Sequence, residues 1–138
     1  MNDETKVPVV LAFDLGKDSA WWVSSRQTGT SFKINDLKGL EEQVNRLIDY
    51  HKPDVILYPH PVRYFNVARK HFQYIGIINL CCEKSDIQSI EVTDSSAKKV
   101  VLGNGKAKKE QIMEFFKEKN EHVADARMFV EWYFKKTE

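Results

Sequence analysis

Cysteine is nearly absent: two residues, Cys81 and Cys82, stand side by side. A disulfide between sequence neighbours is strained and rare, and one such pair builds no framework, so a disulfide-stapled secreted scaffold is excluded. No other ligands lie near them at zinc-site spacing, so the pair reads as two small buried residues in a reducing compartment. Proline (4) and glycine (6) are too few and too scattered in 138 residues to make a linker, and no repeat or low-complexity tract is present. The first apolar run, Val7 to Phe13, is short, follows a polar and acidic start and leads into Asp14, which fits neither a signal peptide nor a membrane span. Charge of one sign is lacking too: 21 Lys and Arg face 20 Asp and Glu, for a formal net charge of +1, so any polyanion site must come from local clustering. The expectation is an intracellular protein, cytoplasmic or nucleoid-associated, with no membrane partner.

What is present is core-forming material. Apolar residues make up 42% of the chain and include eight Phe, five Tyr and three Trp. That suffices for one compact domain, expected to span residues 1–138. Val7 to Leu15 (VPVVLAFDL) reads as a buried strand with Asp14 at its end and Gly16 as the stop. Ala20 to Ser25 and Thr30 to Ile34 suggest a hairpin turning at Gln27-Thr28-Gly29. Leu37, Leu40, Val44, Leu47 and Ile48 recur at helical steps, with Asp36 as N-cap and Lys52-Pro53 as the end. Asp54 to Tyr58 is a second buried strand, closed by Pro59-His60-Pro61. Tyr64 to Cys82 has a helical face (Phe65, Ala68, Phe72, Ile75, Ile78, Cys82), although its Ile-rich part also suits a strand. A strand over Ser89 to Thr93 follows, then a short helix to Leu102 capped by Ser95 or Ser96. A Gly103-Asn104-Gly105 turn leads to helices over Lys106 to Lys119 and Glu121 to Phe134. This is an α/β pattern, and three strands before the first helix imply a mixed sheet.

Four features carry candidate chemistry. Asp14, at the carboxyl end of a buried strand, is where open α/β sheets place ligands. His122 and Asp125 are three apart, so on a helix they share a face and offer nitrogen and oxygen ligands to a divalent cation; the bland alternative is a solvated helix start. Between Lys98 and Lys109 there are five lysines (98, 99, 106, 108 and 109) and no acid, around Gly103, Asn104 and Gly105. Glycines let a backbone approach a polyanion and lysines neutralise phosphates, although a solvated turn has the same composition and the spacing is not that of a P-loop. His60, between two prolines at a strand end, is either a loop histidine or a neighbour of Asp14. The aromatics are too sparse for a base-stacking platform.

These pieces together resemble the RuvC-type Holliday junction resolvases of the ribonuclease H-like superfamily. VVLAFDLG (Val9 to Gly16) is similar to the family's first strand with its catalytic Asp. Ser96 to Ile112 (SAKKVVLGNGKAKKEQI) is similar to its VK-x-A, GxG and KE-x-V segment. Glu121 to Arg127 (EHVADAR) is similar to its C-terminal (H/D)-x-A-D-A motif. The resemblance implies a five-stranded mixed sheet flanked by helices, with three antiparallel strands followed by β-α units. It implies Asp14, His122 and Asp125 as catalytic residues on two Mg2+ ions, with Mn2+ as an alternative. Lys98, Lys99, Gly103, Asn104, Gly105, Lys106, Lys108 and Lys109 would face DNA, Lys98 and Lys109 nearest the scissile phosphate. It further implies a four-way junction as substrate and a homodimer, placed by us on the Tyr64 to Cys82 helix.

One departure stands out. The family carries a Glu at the end of its fourth strand, and here that stretch is Leu57-Tyr-Pro-His-Pro61, with nothing acidic between Asp54 and Glu83. Asp54 opens the strand, roughly 13 Å from its far end, which leaves His60 as the nearest candidate ligand. Three readings follow: a junction endonuclease with an altered second ligand, a weakened or inactive branched-DNA binder on the same fold, or a YqgF-like RNA-processing nuclease.

Overall fold

The computed structural model describes residues 6–61 and 65–138. Its elements are β1 (Val10–Asp14), β2 (Ser19–Val23), β3 (Thr28–Phe32), α1 (Leu37–His51), β4 (Val55–Pro59), α2 (Phe65–Lys84), β5 (Gln88–Val92), α3 (Asp94–Leu102), α4 (Lys109–Phe116) and α5 (Glu121–Lys136). The five strands form one mixed sheet in the order β3-β2-β1-β4-β5. β1, β2 and β3 pair antiparallel, whereas β4 and β5 join β1 in parallel. The carboxyl ends of β1, β4 and β5 therefore share one edge, the place where α/β sheets build sites.

Two cores sandwich the sheet. Leu11 and Phe13 pack with Leu40, Val44, Leu47, Ile78, Cys81 and Cys82 on the α1 and α2 side. Val10 and Ala12 pack with Ala97, Ile112, Ala124, Met128 and Phe129 on the side of α3, α4 and α5. Both faces of β1 are thus covered, which is why its sequence is a continuous apolar run rather than an alternating one. Period-two alternation puts Asp14 on the same face as Val10 and Ala12, toward α5. Cys81 and Cys82 are free and buried, as their apolar surroundings suggested, and burial pushes the Cys82 thiol up to about 11.

Local chemistry accounts for the element ends. Asp36 Oδ1 accepts from Gly39 N at 2.6 Å to start α1, and Lys52, at φ 49°, stops it before Pro53. Asp54 Oδ2 accepts from Val9 N at 2.8 Å, tying the opening ends of β1 and β4 together, on the edge opposite Asp14.

Several expectations need correction. The hairpin turns over Ser24–Gln27 rather than at Gln27-Thr28-Gly29, with Gln27 at φ 49°. Gly29 belongs to β3 opposite Trp22, where a Cβ would stand 2.0 Å from the Trp21 carbonyl oxygen, so glycine serves a close approach and not a turn. The Ile-rich stretch is helical as part of α2; Tyr64, the expected first residue of that helix, lies outside the described residues. α3 begins at Asp94 with Thr93 in the cap position, not at Ser95 or Ser96. α4 is shorter than Lys106 to Lys119, because Asn104 Oδ1 accepts from Lys106 N (3.0 Å) and holds the turn up to Lys108.

Candidate metal centre and nucleic-acid cleft

The fold brings the two ends of the chain together at the β1 edge. Asn120 is the N-cap of α5, its Oδ1 accepting from His122 N (2.9 Å) and Val123 N (3.1 Å). Ala124 and Ala126 are fully buried, so small side chains let the helix lie close against the sheet. Arg127 locks it: its guanidinium lies 4.4 Å from the Trp22 ring centre and bonds the Phe116 carbonyl at 3.0 Å. Seated this way, the first turn of α5 presents His122 and Asp125 to Asp14. His122 Nδ1 lies 2.8 Å from Asp14 Oδ2, and its Nε2 lies 3.3 Å from Glu121. One ligand atom from each of Asp14, His122 and Asp125 falls within 4.8 Å of the others.

The electrostatics of this cluster fit a cation. Burial raises the Asp14 pKa, opposed by its hydrogen bond to His122. Burial and the charges of Asp14 and Asp94 push Asp125 up to about 8. The hydrogen bond to Asp14 raises His122. Burial disfavours the charge on both carboxylates, and a hard divalent ion supplies the opposite charge through the same oxygens. Two carboxylates and an imidazole are an acceptable donor set for Mg2+ or Mn2+, with water completing the shell.

The lysine segment divides in two. Lys98 bonds Asp94 at 2.6 Å and is only 19% exposed, and its charge reaches Asp125. Lys99, Lys106, Lys108 and Lys109 are exposed, and buried Ala107 anchors the loop between them. Gly103, at φ 79°, takes the left-handed position that ends α3, Asn104 braces the turn, and Gly105 follows. Lys109 reaches Glu121 (3.5 Å) at the rim of a cleft of about 760 Å³ beside His122. Lys33 and Lys119 line the same cleft and were not singled out from sequence, because each stands outside the lysine run.

His60 is not brought to the cluster. It follows β4 on the correct edge, but its Nδ1 is 3.0 Å from Glu91 and its side chain is more than half exposed. Two other groups act on the cluster through their charge. Asp94, at the start of α3, acts electrostatically on both Asp14 and Asp125. His71 of α2 is buried, its charge couples to Asp14, and its Nε2 lies 3.8 Å from where a Cβ on Gly16 would be. No local motif announces either; both depend on where α2 and α3 cross the sheet edge.

A ribonuclease H-like mixed sheet with a carboxylate–imidazole cluster at the end of its central strand, beside a lysine-rimmed cleft, defines a nuclease of the metal-dependent class. The family described as Crossover junction endodeoxyribonuclease RuvC matches residues 23–125, and the chain belongs to that family. The matched stretch ends at Asp125 and leaves out Asp14, which the structure joins to it. The chain is similar in fold to RuvC from Thermus thermophilus (TM-score 0.76, 15% identity, 94% of this chain and 95% of that one). It is similar to T. thermophilus RuvC in complex with a Holliday junction substrate (TM-score 0.75, 12% identity, 95% of each chain). A third likeness is to the fowlpox virus Holliday junction resolvase (TM-score 0.52, 14% identity, 94% of this chain and 99% of that one). Among the described residues no helix is long and apolar enough to cross a membrane.

Proposed function

We propose that this chain cuts four-way DNA junctions by divalent-metal-assisted phosphodiester hydrolysis, with Asp14, His122 and Asp125 holding the cation. One observation carries this reading: within the RuvC fold, Asp14 meets His122 at 2.8 Å across 108 positions of sequence, with Asp125 one helical turn away. A divalent cation, when bound, supplies Lewis-acid polarisation of the phosphodiester and a lowered pKa for water.

The chain's own groups do the rest. His122 Nδ1 shares a proton with Asp14 Oδ2, and that proton and the one on Asp125 must leave as the carboxylates engage a cation. His122 Nε2, facing Glu121, is the atom positioned to pass a proton outward. Lys98 steadies the cluster from α3, while Lys119, Lys109 (3.5 Å from Glu121) and Lys33 (3.1 Å from Asp18) line the cleft, where a DNA phosphate would compete with those carboxylates for the lysines. The substrate is branched DNA, which places the protein inside the cell, and Mg2+ is the expected ion, with Mn2+ as a substitute.

Two symmetric cuts call for a homodimer. The outer side of α2 supports that assembly: Phe72 (62% exposed) and Leu80 (42%) flank Gly76, at whose Cβ position nothing lies within 4 Å, so the three form a flat exposed stripe at i, i+4, i+8.

The test is cleavage of a labelled four-way junction with Mg2+ and, separately, Mn2+, with duplex DNA and RNA as competitors. Asp14→Asn is expected to lose cleavage and keep junction binding. Wild-type-like cutting by that variant would refute the metal assignment. Tight junction binding without cutting in either metal would mark a branched-DNA binder, and RNA cleavage without junction preference a YqgF-like enzyme.

A further inference from the structure

The first turn of α5 carries a carboxylate that the cation cluster does not use. Glu121 stands one residue before His122, and its two oxygens face two different partners. Oε1 lies 3.3 Å from His122 Nε2. Oε2 lies 3.5 Å from the Nζ of Lys109, the first residue of α4. The other ring nitrogen of His122, Nδ1, is 2.8 Å from Asp14 Oδ2. Four side chains therefore form one continuous path, Asp14 to His122 to Glu121 to Lys109, which joins the end of β1 to the rim of the cleft. Asn120 caps this turn through the amides of His122 and Val123, which fixes the backbone that carries both Glu121 and His122.

The two links of Glu121 do different things. A histidine that ligates a metal through one ring nitrogen is oriented by the acceptor its other nitrogen finds, and a carboxylate there raises its basicity as a ligand. Nδ1 is on the Asp14 side, so Nε2 is the outer nitrogen and Glu121 is the acceptor it faces. The link to Lys109 is an exposed ion pair, which water screens and a competing anion displaces readily. A phosphate that takes Lys109 leaves the whole carboxylate to His122.

We propose that Glu121 is a positioning residue that couples the phosphate contact of Lys109 to the cation affinity of His122. This rests on the reading of Asp14, His122 and Asp125 as the cation site and of Lys109 as a DNA contact. While Lys109 holds Glu121, the carboxylate is shared and His122 is the weaker ligand. Once Lys109 is on a phosphate, Glu121 serves His122 alone, and the cation is held more tightly with the DNA backbone in place. By linkage the effect is reciprocal: a bound cation draws Glu121 to His122 and frees Lys109 for a phosphate.

The experiment is a Mn2+ titration of the full chain without DNA, followed by the electron paramagnetic resonance of free Mn2+, on wild type, Glu121→Gln, Lys109→Ala and the double variant. Glu121→Gln is expected to weaken Mn2+ binding roughly tenfold, the lower end of what supporting residues around a metal change. Lys109→Ala is expected to tighten it about fivefold, the lower end of typical coupling between sites. In the double variant Lys109→Ala should add nothing, because its effect passes through Glu121. Glu110→Gln removes the same charge from the wall of the same cleft and should keep the wild-type affinity. Glu121→Ala is the second variant at that position, with the loss expected of Glu121→Gln, and metal-free melting curves establish that each variant folds. Unchanged Mn2+ affinity in both Glu121 variants would overturn the inference. So would an equal loss in Glu110→Gln, or an equal effect of Lys109→Ala with and without Glu121, since either would reduce the coupling to the general charge of the cleft. Asp14→Asn separates the two readings: loss of Mn2+ there, with the Glu121 variants unchanged, leaves the cation site standing and removes Glu121 from it. Full Mn2+ binding by Asp14→Asn, or none by wild type, removes the cation site and the coupling with it.

Discussion

Replacing Asp125 by asparagine is expected to stabilise the metal-free protein at high pH while ending its affinity for a cation. Asp125 is pushed from 3.8 up to about 8, chiefly by burial and then by the charges of Asp14 and Asp94. Between those values the folded chain holds a proton that the unfolded chain has released, so stability falls as pH rises from about 4 to about 8 and is flat beyond. At about 1.4 kcal/mol per tenfold change in proton affinity, the difference sets a ceiling of roughly 6 kcal/mol. Asp125 is half-buried rather than sealed in the core, so an effective dielectric near 20 is appropriate, and a cost of about 2 kcal/mol at pH 8.5 is the realistic expectation. For a chain of this size that is about 8 °C in Tm.

The assay is thermal unfolding by circular dichroism in EDTA at pH 5 and pH 8.5. Wild type should melt lower at pH 8.5 than at pH 5, and Asp125→Asn should erase most of that difference. Asp14 and His122, both raised, have the same sign and leave a residual slope. Adding Mn2+ at a hundred times its dissociation constant should return about 2.7 kcal/mol to wild type and little to the variant. An Asp125→Asn protein with the wild-type pH slope, or one no more stable at pH 8.5, would refute the picture of a carboxyl held neutral by its surroundings.

Other expectations follow from single contacts. Lys109→Ala, at the cleft rim, should weaken junction binding and lower the slope of log K against log salt by about 1; an unchanged slope would take the lysine loop out of the DNA interface. Asn120→Ala removes the two N-cap bonds of α5 and should cost about 1 kcal/mol in denaturant unfolding, with cleavage falling further than stability because His122 rides on that turn. Gly29→Ala puts a Cβ 2.0 Å from the Trp21 carbonyl oxygen, so β3 must shift; a loss of about 3 kcal/mol in the urea midpoint analysis is expected, and a neutral result would mean that β3 is free to move.

Sequence and structure part company at identifiable places. Gly29 looks like a turn residue in any local window, yet the close backbone of β2 requires it in a strand, so the hairpin turns earlier than its sequence suggests. The missing acid at the end of β4 directed attention to His60, the nearest polar residue along the chain. In space its imidazole goes to Glu91 on the neighbouring strand, while the charges that act on Asp14 include those of His71 and Asp94, 12 and 35 positions past Pro59. The lysine run was visible as composition, but Lys33 and Lys119 join the cleft only because β3 and the α4–α5 connection end beside it.

By itself the sequence determined the types of the elements other than the Ile-rich part of α2, the doubly buried character of β1, the placing of Asp14 at its end and the pairing of His122 with Asp125 on one helical face. All of these depend on neighbours within a turn of helix or a few residues of strand, where periodicity and capping chemistry operate. Tertiary structure alone decided that these groups meet. The order β3-β2-β1-β4-β5 puts β1 at the centre, and buried Ala124 and Ala126 let α5 close on it. Distances between residues 108 positions apart are set by the packing of helices on a sheet, which no local pattern encodes.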